Sequence, residues 1–595
     1  MKKIVLNLFF LIPFGLSAQN VSMSDMSFWK SSGKSNWAVA GSVSADMNVK
    51  ESMTLTAGTG VLVNLPASEN KANLESKLEH GDAEISFDFM MASHSNSGFY
   101  LQGRYEVQLL DSWGVINPNT GDCGGIYKRR RYIKDANGKN QEYLWEGHAP
   151  RINTCLAPGL WQHMDISFQA PKFDASGKKI KNAKVISIKM NGVLIQENVE
   201  LTGPTGGPIS ETEVAQGPIM IQGDHGPVAF RNMSIANLAG KPVEVKDITY
   251  KTFYGTFREP KDFLTKKPNG SGKLDKFTWE VVTQPNDFAV IYSSKLVVPE
   301  AGKHKFTFQM AGKNYIKING NEVLDDQWTQ TRDKRTVEVD FPAGEVPMEI
   351  TVYKIDGWLQ SVMGVWVAGP GFRAVPMHTL GSILAGSPKD PILLDAKQTT
   401  ILRSFSDLIK DGKKLKRVTH AVNVGSPEKL HYTYDLDNGA IVQIWKGDFL
   451  ETSPMWDDRG DGSSRPRGVV LPLPDVAPIV AANGNSTFKT LGYDLDENDM
   501  PTFRYQVNGA EINDKIRVSE TKFFTRTISQ KLNPSNVSFN CKIAEGKTIS
   551  KVNETTYLVD NAYFVKVENA TLESAAGNSV LSKNLDKEVS YSILW

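Results

Sequence analysis

Between Asn96 and Asp111 the chain reads NSGFYLQGRYEVQLLD, which sets amides, a phenol and a carboxylate at alternate positions among aliphatic residues. Side chains in a strand point to its two faces in turn. Tyr100 and Gln102 therefore share a face, as do Glu106 and Gln108, while Phe99, Leu101, Val107 and Leu109 take the opposite phase and fill a core. So many oriented donors and acceptors on one sheet suit a hydroxyl-rich ligand such as a sugar. Tyr100 and Trp113 could stack on a pyranose face. Gln102, Gln108 and Gln222, with Asn96, could bind its hydroxyls. Arg104 could neutralise an oxyanion or orient Glu106, or it could simply be a residue of the Gln102-Gly103-Arg104 turn.

Glu106 is the leading candidate for acid–base work and the first choice of base, with His225 second, because a buried carboxylate has its proton affinity raised toward neutrality. A structural hydrogen bond across the sheet is the plainer alternative. Asp224-His225 is the second candidate, since an imidazole at a loop end can serve as base or ligand. His94 ranks below it. Asp111 could hold the Ser112–Gly114 turn. A divalent metal could bind among Glu106, Asp111 and His225, although their spacing matches no metal motif.

These side chains need strands to hold them. Residues 82–91 alternate cleanly, with Ala83, Ile85, Phe87, Phe89 and Met91 on one side, which predicts a half-buried antiparallel strand. Further strands are expected at 98–102, 105–111, 162–169, 184–190, 193–200, 217–222 and 228–236. Asn191-Gly192 supplies a tight hairpin between two of them. The result is an all-β first domain over 25–240, a two-sheet sandwich. A second β-sandwich is expected over 245–372 and a β-rich domain over 373–595. One short helix is expected near 403–411.

The 67 basic and 66 acidic residues nearly cancel, so nucleic acid is not an expected partner. The basic run Lys128–Arg131 reads as a solvated loop. Residues 1–18 read as a signal peptide, with Lys2 and Lys3 before an apolar run that is short for a membrane span. The mature chain is then expected to be periplasmic or secreted, with no membrane span. In an oxidising compartment Cys123 and Cys155, which flank one insertion, are the expected disulfide, with Cys541 left over. Neither a dinucleotide fingerprint nor a haem-attachment motif occurs. The Asp457–Gly462 run lacks the periodic ligands of an EF-hand and reads as a polar turn.

The first domain resembles the 3-keto-disaccharide hydrolase family. The resemblance rests on residues 96–114, GGIY (124–127), 149–155, 158–174, 191–205 and GPIMIQGDHGPVAFRNMSI (217–235) in that order. The inserted KRRRYIKDANGKNQEYLWEGH (128–148) is longer than this pattern leads one to expect. The resemblance implies a concanavalin-like, laminarinase-like sandwich that cleaves 3-keto-glycosides. A base would remove the proton at C2 and the group at C1 would leave, with water completing net hydrolysis. A separate sugar 3-oxidoreductase would supply the ketone. The E-x-D-x-x-E pattern of laminarinase-type sandwiches is missing. The middle region resembles the sugar-binding sandwich first named from anthrax protective antigen, through Phe288–Pro299, Gly302–Phe308 and 315–326. Met310-Ala311-Gly312-Lys313 stands where calcium-dependent members carry Asp-Asp-Gly, and Asp325-Asp326 reads as a solvated turn. A non-catalytic carbohydrate-binding or docking protein is the rival reading.

Overall fold

Strand Ala83–Met91 buries alternate side chains and pairs antiparallel with Trp161–Gln169, Met164 opposite Phe87 and Ile166 opposite Ile85. That pairing anchors the first of two sheets in a computed structural model that describes residues 19–595, except 68, 136, 384–389, 458–461, 483, 485, 535 and 576. The expected signal peptide and most of the Asp457–Gly462 turn lie outside the described residues. The sheet runs in the order Val193–Leu201, Ala183–Met190, Trp161–Gln169, Ala83–Met91, Val228–Asn237, Thr54–Asn64, Trp37–Ser44. The facing sheet runs Trp29–Ser31, Leu74–His80, Gly217–Ile221, Asn96–Leu101, Tyr105–Leu110. Between them Phe87 stacks on Phe99 at 4.5 Å and meets Phe230 at 5.7 Å, so aromatic packing fixes one sheet against the other. The protein is all-β and multidomain, and the expected sandwich is present.

By compactness the chain divides into two units, one of residues 235–390 and one that joins 20–234 to 391–595. The first is a sandwich of its own, closed around Phe306, Phe308, Ile316 and Ile350. Its Asp325 and Asp326 are not turn residues. They lie on strand Asn321–Thr329, where Asp325 meets the Arg335 guanidinium at 2.6 Å and Asp326 meets Lys313 at 3.4 Å. Opposite charges on neighbouring strands explain the difference.

In the second unit, Leu156, Ala157 and Leu160 of the first sandwich share one apolar core with Val422, Tyr432, Phe503, Phe564 and Trp595. Polar ties reinforce it: Arg151 bonds Asp448 at 2.7 Å, and the buried Lys446 ammonium donates to the Cys155 carbonyl at 2.7 Å. Burial pushes that ammonium down to about 8. The helix expected near 403–411 is instead two strands, Thr400–Arg403 and Ser406–Lys410. The second turns back at Asp411-Gly412, both at positive φ, into Lys413–Val418. An Asp-Gly pair of that geometry makes a two-residue hairpin, which overrides the apolar spacing that suggested a helix.

Two buried imidazoles make this unit acid-labile. His80 and His431 are each pushed down to about 4 by burial, whereas an unfolded chain takes up these protons near pH 6.5. Stability that is complete above pH 6.5 therefore drains as pH falls toward 4, by about 3 kcal/mol for each imidazole. The Glu106 carboxyl, raised to about 8 by burial, gains about 3 kcal/mol over the same range and offsets one of the two. Urea melts at pH 7 and pH 4.5 should therefore show a net loss of about one imidazole's worth. The His80→Gln variant, which cannot titrate, should show a shallower dependence.

Candidate active site

The outer face of the five-stranded sheet carries a cleft of ≈ 320 Å³. Strands Asn96–Leu101 and Tyr105–Leu110 pair with Tyr100 opposite Glu106 and Gly98 opposite Gln108, which brings Asn96, Tyr100, Glu106 and Gln108 onto one wall. Glu106 lies at the bottom, 4% exposed. Burial pushes its carboxyl up to about 8, with the Tyr100 phenol and the Arg130 guanidinium pulling the other way. Tyr100 donates to the Gly206 carbonyl at 3.0 Å, and Gln108 donates to Asn96 Oδ1 at 2.6 Å.

Gly98 makes room for this carboxyl. A Cβ there would stand 2.4 Å from Glu106 Oε1 and 2.9 Å from Tyr100 Cε2. Gly98→Ala should displace the carboxyl and lower kcat/KM by about a hundredfold. Steady-state kinetics on the substrate proposed below check this, and unchanged kinetics would mean that Glu106 needs no exact position.

Gln222, Asp224 and His225 close the cleft from the loop after strand Gly217–Ile221. His225 Nδ1 lies 2.5 Å from Asp224 Oδ1 and 3.1 Å from Gln222 Nε2. The loop is pinned from below. Buried Asn64 donates to the carbonyls of Gly223 at 2.9 Å and Gly226 at 3.1 Å, and Ser95 Oγ donates to Pro227 at 2.5 Å. Gly226 sits at φ 150°, where a side chain would be strained. The loop thus presents a fixed Asp–His pair at the rim.

Three expected site residues lie elsewhere. Gln102 and Gly103 have φ of 52° and 64°, so the strand alternation ends in a tight turn before Gln102 can join the face. Gln102 is buried and donates to the carbonyls of His80 and Ala215 at 3.0 and 3.1 Å. Arg104 is spent on carbonyls too, those of Thr212 and Gln102, both at 2.6 Å, and does not orient Glu106. Trp113 donates its indole N–H to the Trp595 carbonyl at 2.9 Å and packs on the shared core.

The other expectations divide. Asp111 holds the turn as expected, accepting from the amides of His94 and Trp113 at 2.8 and 3.3 Å. Its carboxylate is thereby committed, and among the described residues no group of three His, Cys, Asp or Glu side chains gathers as metal ligands. Cys123 and Cys155 are both buried, and they are free cysteines where a disulfide was expected. As a thiol, the Cys155 sulfur finds the Leu110 and Leu156 carbonyls at 3.8 and 3.6 Å.

Sequence reasoning missed Asn73, Tyr127, Arg130, Gly206 and Gly207, which complete the cleft. Arg130 belongs to the basic run read as a solvated loop. The run is strand Arg129–Lys134, hairpinned to Asn140–Trp145. The alternation in that insert, and its Asn137-Gly138 turn, were the available signal.

Residues 23–236 match the family described as the 3-keto-alpha-glucoside-1,2-lyase-like domain. They are a domain of that family. The lyase-like domain brings with it a glycoside-cleaving, hydrolase-like function. A candidate glycosyl hydrolase from Parabacteroides distasonis ATCC 8503, solved at 2.13 Å, is 24% identical over 37% of this chain and 84% of its own, with a TM-score of 0.26. A second from the same organism, solved at 2.00 Å, is 21% identical over 34% of this chain and 99% of its own, with a TM-score of 0.20. The epithelial adhesin 9 A domain of Candida glabrata, solved with Galβ1-3GlcNAc, is 12% identical over 24% of this chain and 91% of its own, with a TM-score of 0.19. No curated protein matches the chain.

Proposed function

We propose that the lyase-like domain cleaves 3-keto-glycosides, including 3-keto-disaccharides, by elimination followed by hydration. The observation that carries this reading is the pairing, in one cleft, of a buried carboxyl raised to about 8 with an Asp–His pair at the rim. At neutral pH such a carboxyl is about nine-tenths protonated and serves as an acid. Glu106 is then the proton donor, where sequence reasoning had it as base.

The ketone at C3 acidifies the C2 proton. His225, with Nδ1 held by Asp224, takes that proton on Nε2. The electron pair moves to O3, where the Glu106 carboxyl meets it with a hydrogen bond. Collapse of the enolate restores the ketone, forms the C1–C2 double bond and expels the C1 substituent, whose oxygen takes from His225 Nε2 the proton removed from C2. Water then adds its hydroxyl to C1 and a proton to C2, so the net change is hydrolysis. The chain is exported in this reading, and a separate sugar 3-oxidoreductase makes its substrate.

Purified protein incubated with a 3-keto-disaccharide in D₂O tests the proposal. Free monosaccharide should appear, with deuterium at C2 of the released 3-keto sugar beyond that in a control of product incubated with no enzyme. Binding without release would leave a carbohydrate-binding protein instead. Release without C2 deuterium would replace elimination with direct displacement.

A further inference from the structure

The insert 128–148 has two faces that differ in what they leave unpartnered. On one, Arg129, Trp145, Arg131 and Tyr143 interleave, the guanidinium carbons 4.9, 5.5 and 5.3 Å from the ring centres and the two rings stacked at 5.7 Å. Arg129 also donates to Thr202 Oγ1 at 2.7 Å, which ties the base of the hairpin to the sandwich. This face is a self-contained stiffener.

The other face follows by alternation: Arg130 and Tyr132 on one strand, with Leu144 and Glu142 as their cross-strand partners. Arg130 lines the cleft, carries its guanidinium 5.6 Å from the Tyr132 ring centre and pairs with Glu142 at 3.5 Å. Tyr132 is 60% exposed and Leu144 38%. A single surface therefore runs from the cleft, over Arg130, to an open phenol ring flanked by an aliphatic side chain. Behind it the ladder of rings and guanidinium groups holds the hairpin up.

We propose that this face is a leaving-group subsite: Tyr132 stacks on a six-membered ring attached through C1, while Arg130 and Glu142 hydrogen-bond that ring's hydroxyls. This inference rests on the keto-glycoside reading. With the reacting sugar over Glu106, whatever C1 carries must run out of the cleft along one of its walls, and only a flat ring gains from a stacked phenol. The ring is a phenolic aglycone or a second sugar, which present the same chemistry: an apolar face with hydroxyls at its edge.

The test compares 3-keto derivatives of methyl glucoside, 4-hydroxyphenyl glucoside and a glucose disaccharide, with the wild type, Tyr132→Ala and Tyr132→Phe. For the two ring-bearing substrates Tyr132→Ala should raise KM about tenfold, Tyr132→Phe should restore it, and the methyl glucoside should be unaffected. The relative size of the effect on the aryl and disaccharide substrates tells which ring the subsite takes. An equal change for all three substrates, or none, overturns the subsite while leaving the keto-glycoside activity standing. If no substrate turns over, the activity fails, and calorimetric Kd values for the same nine combinations must show the same tenfold contrast. Its absence overturns the subsite as well.

Discussion

Glu106→Gln should lower kcat/KM by about a hundred- to a thousandfold while making the protein more resistant to denaturant at pH 8. The two effects have one cause. A carboxyl held at about 8 in the fold and near 4.5 in the unfolded chain contributes stability that is complete below pH 4.5 and is lost as pH rises to 8. Glutamine has nothing to titrate, so the variant escapes that loss. A residue needed only for packing would move activity and stability the same way. The wild-type rate should also fall above pH 8, as the proton to be donated disappears, and this limb should be missing in the variant. A rate that climbs through pH 8 instead would make Glu106 the base, and the donor would have to be sought elsewhere.

His225→Ala should cost about a thousandfold in kcat/KM with little change in stability, because the ring is half exposed and its loop is held by Asn64 and Ser95, not by the imidazole. Asp224→Asn should cost less, since the imidazole remains and loses only its orientation. Added imidazole should recover part of the His225→Ala rate, because the rim is open to solvent. The decisive measurement is deuterium uptake at C2 of a bound 3-keto-glycoside that carries no good leaving group. If His225→Ala abolishes uptake, it is the base. If uptake persists while release stops, its part lies in the later protonation of the leaving oxygen.

The period-two pattern located the cleft wall because burial enforces it: Phe99, Leu101, Val107 and Leu109 must reach the core, which sends Tyr100, Glu106 and Gln108 outward. It misplaced Gln102 because the Gln102-Gly103-Arg104 turn was weighed for Arg104 alone, whereas Gln102 itself takes a positive φ and leaves the strand one position before the alternation in the sequence ends. Trp113 was beyond reach for another reason, as its partner lies 482 residues along the chain. Arg130 was hidden by composition. A run of arginines looks solvated until the aromatic residues on the returning strand are seen to lie beside them. The Asp224–His225 pair was legible as a motif, but its fixed posture depends on Asn64, some 160 residues earlier.

The apolar core shared by the first sandwich and the C-terminal strands has a consequence for how this gene can be edited. Stopping the chain after residue 240 would remove the indole partner of Trp113 and leave Leu156, Ala157 and Leu160 facing water. The catalytic portion is then not a cassette that can be moved alone into another protein, even though its boundaries look clean on paper. Swapping partners would have to carry residues 391–595 along, while the part of residues 235–390 that follows strand Val228–Asn237, with a core of its own, is what recombination could exchange.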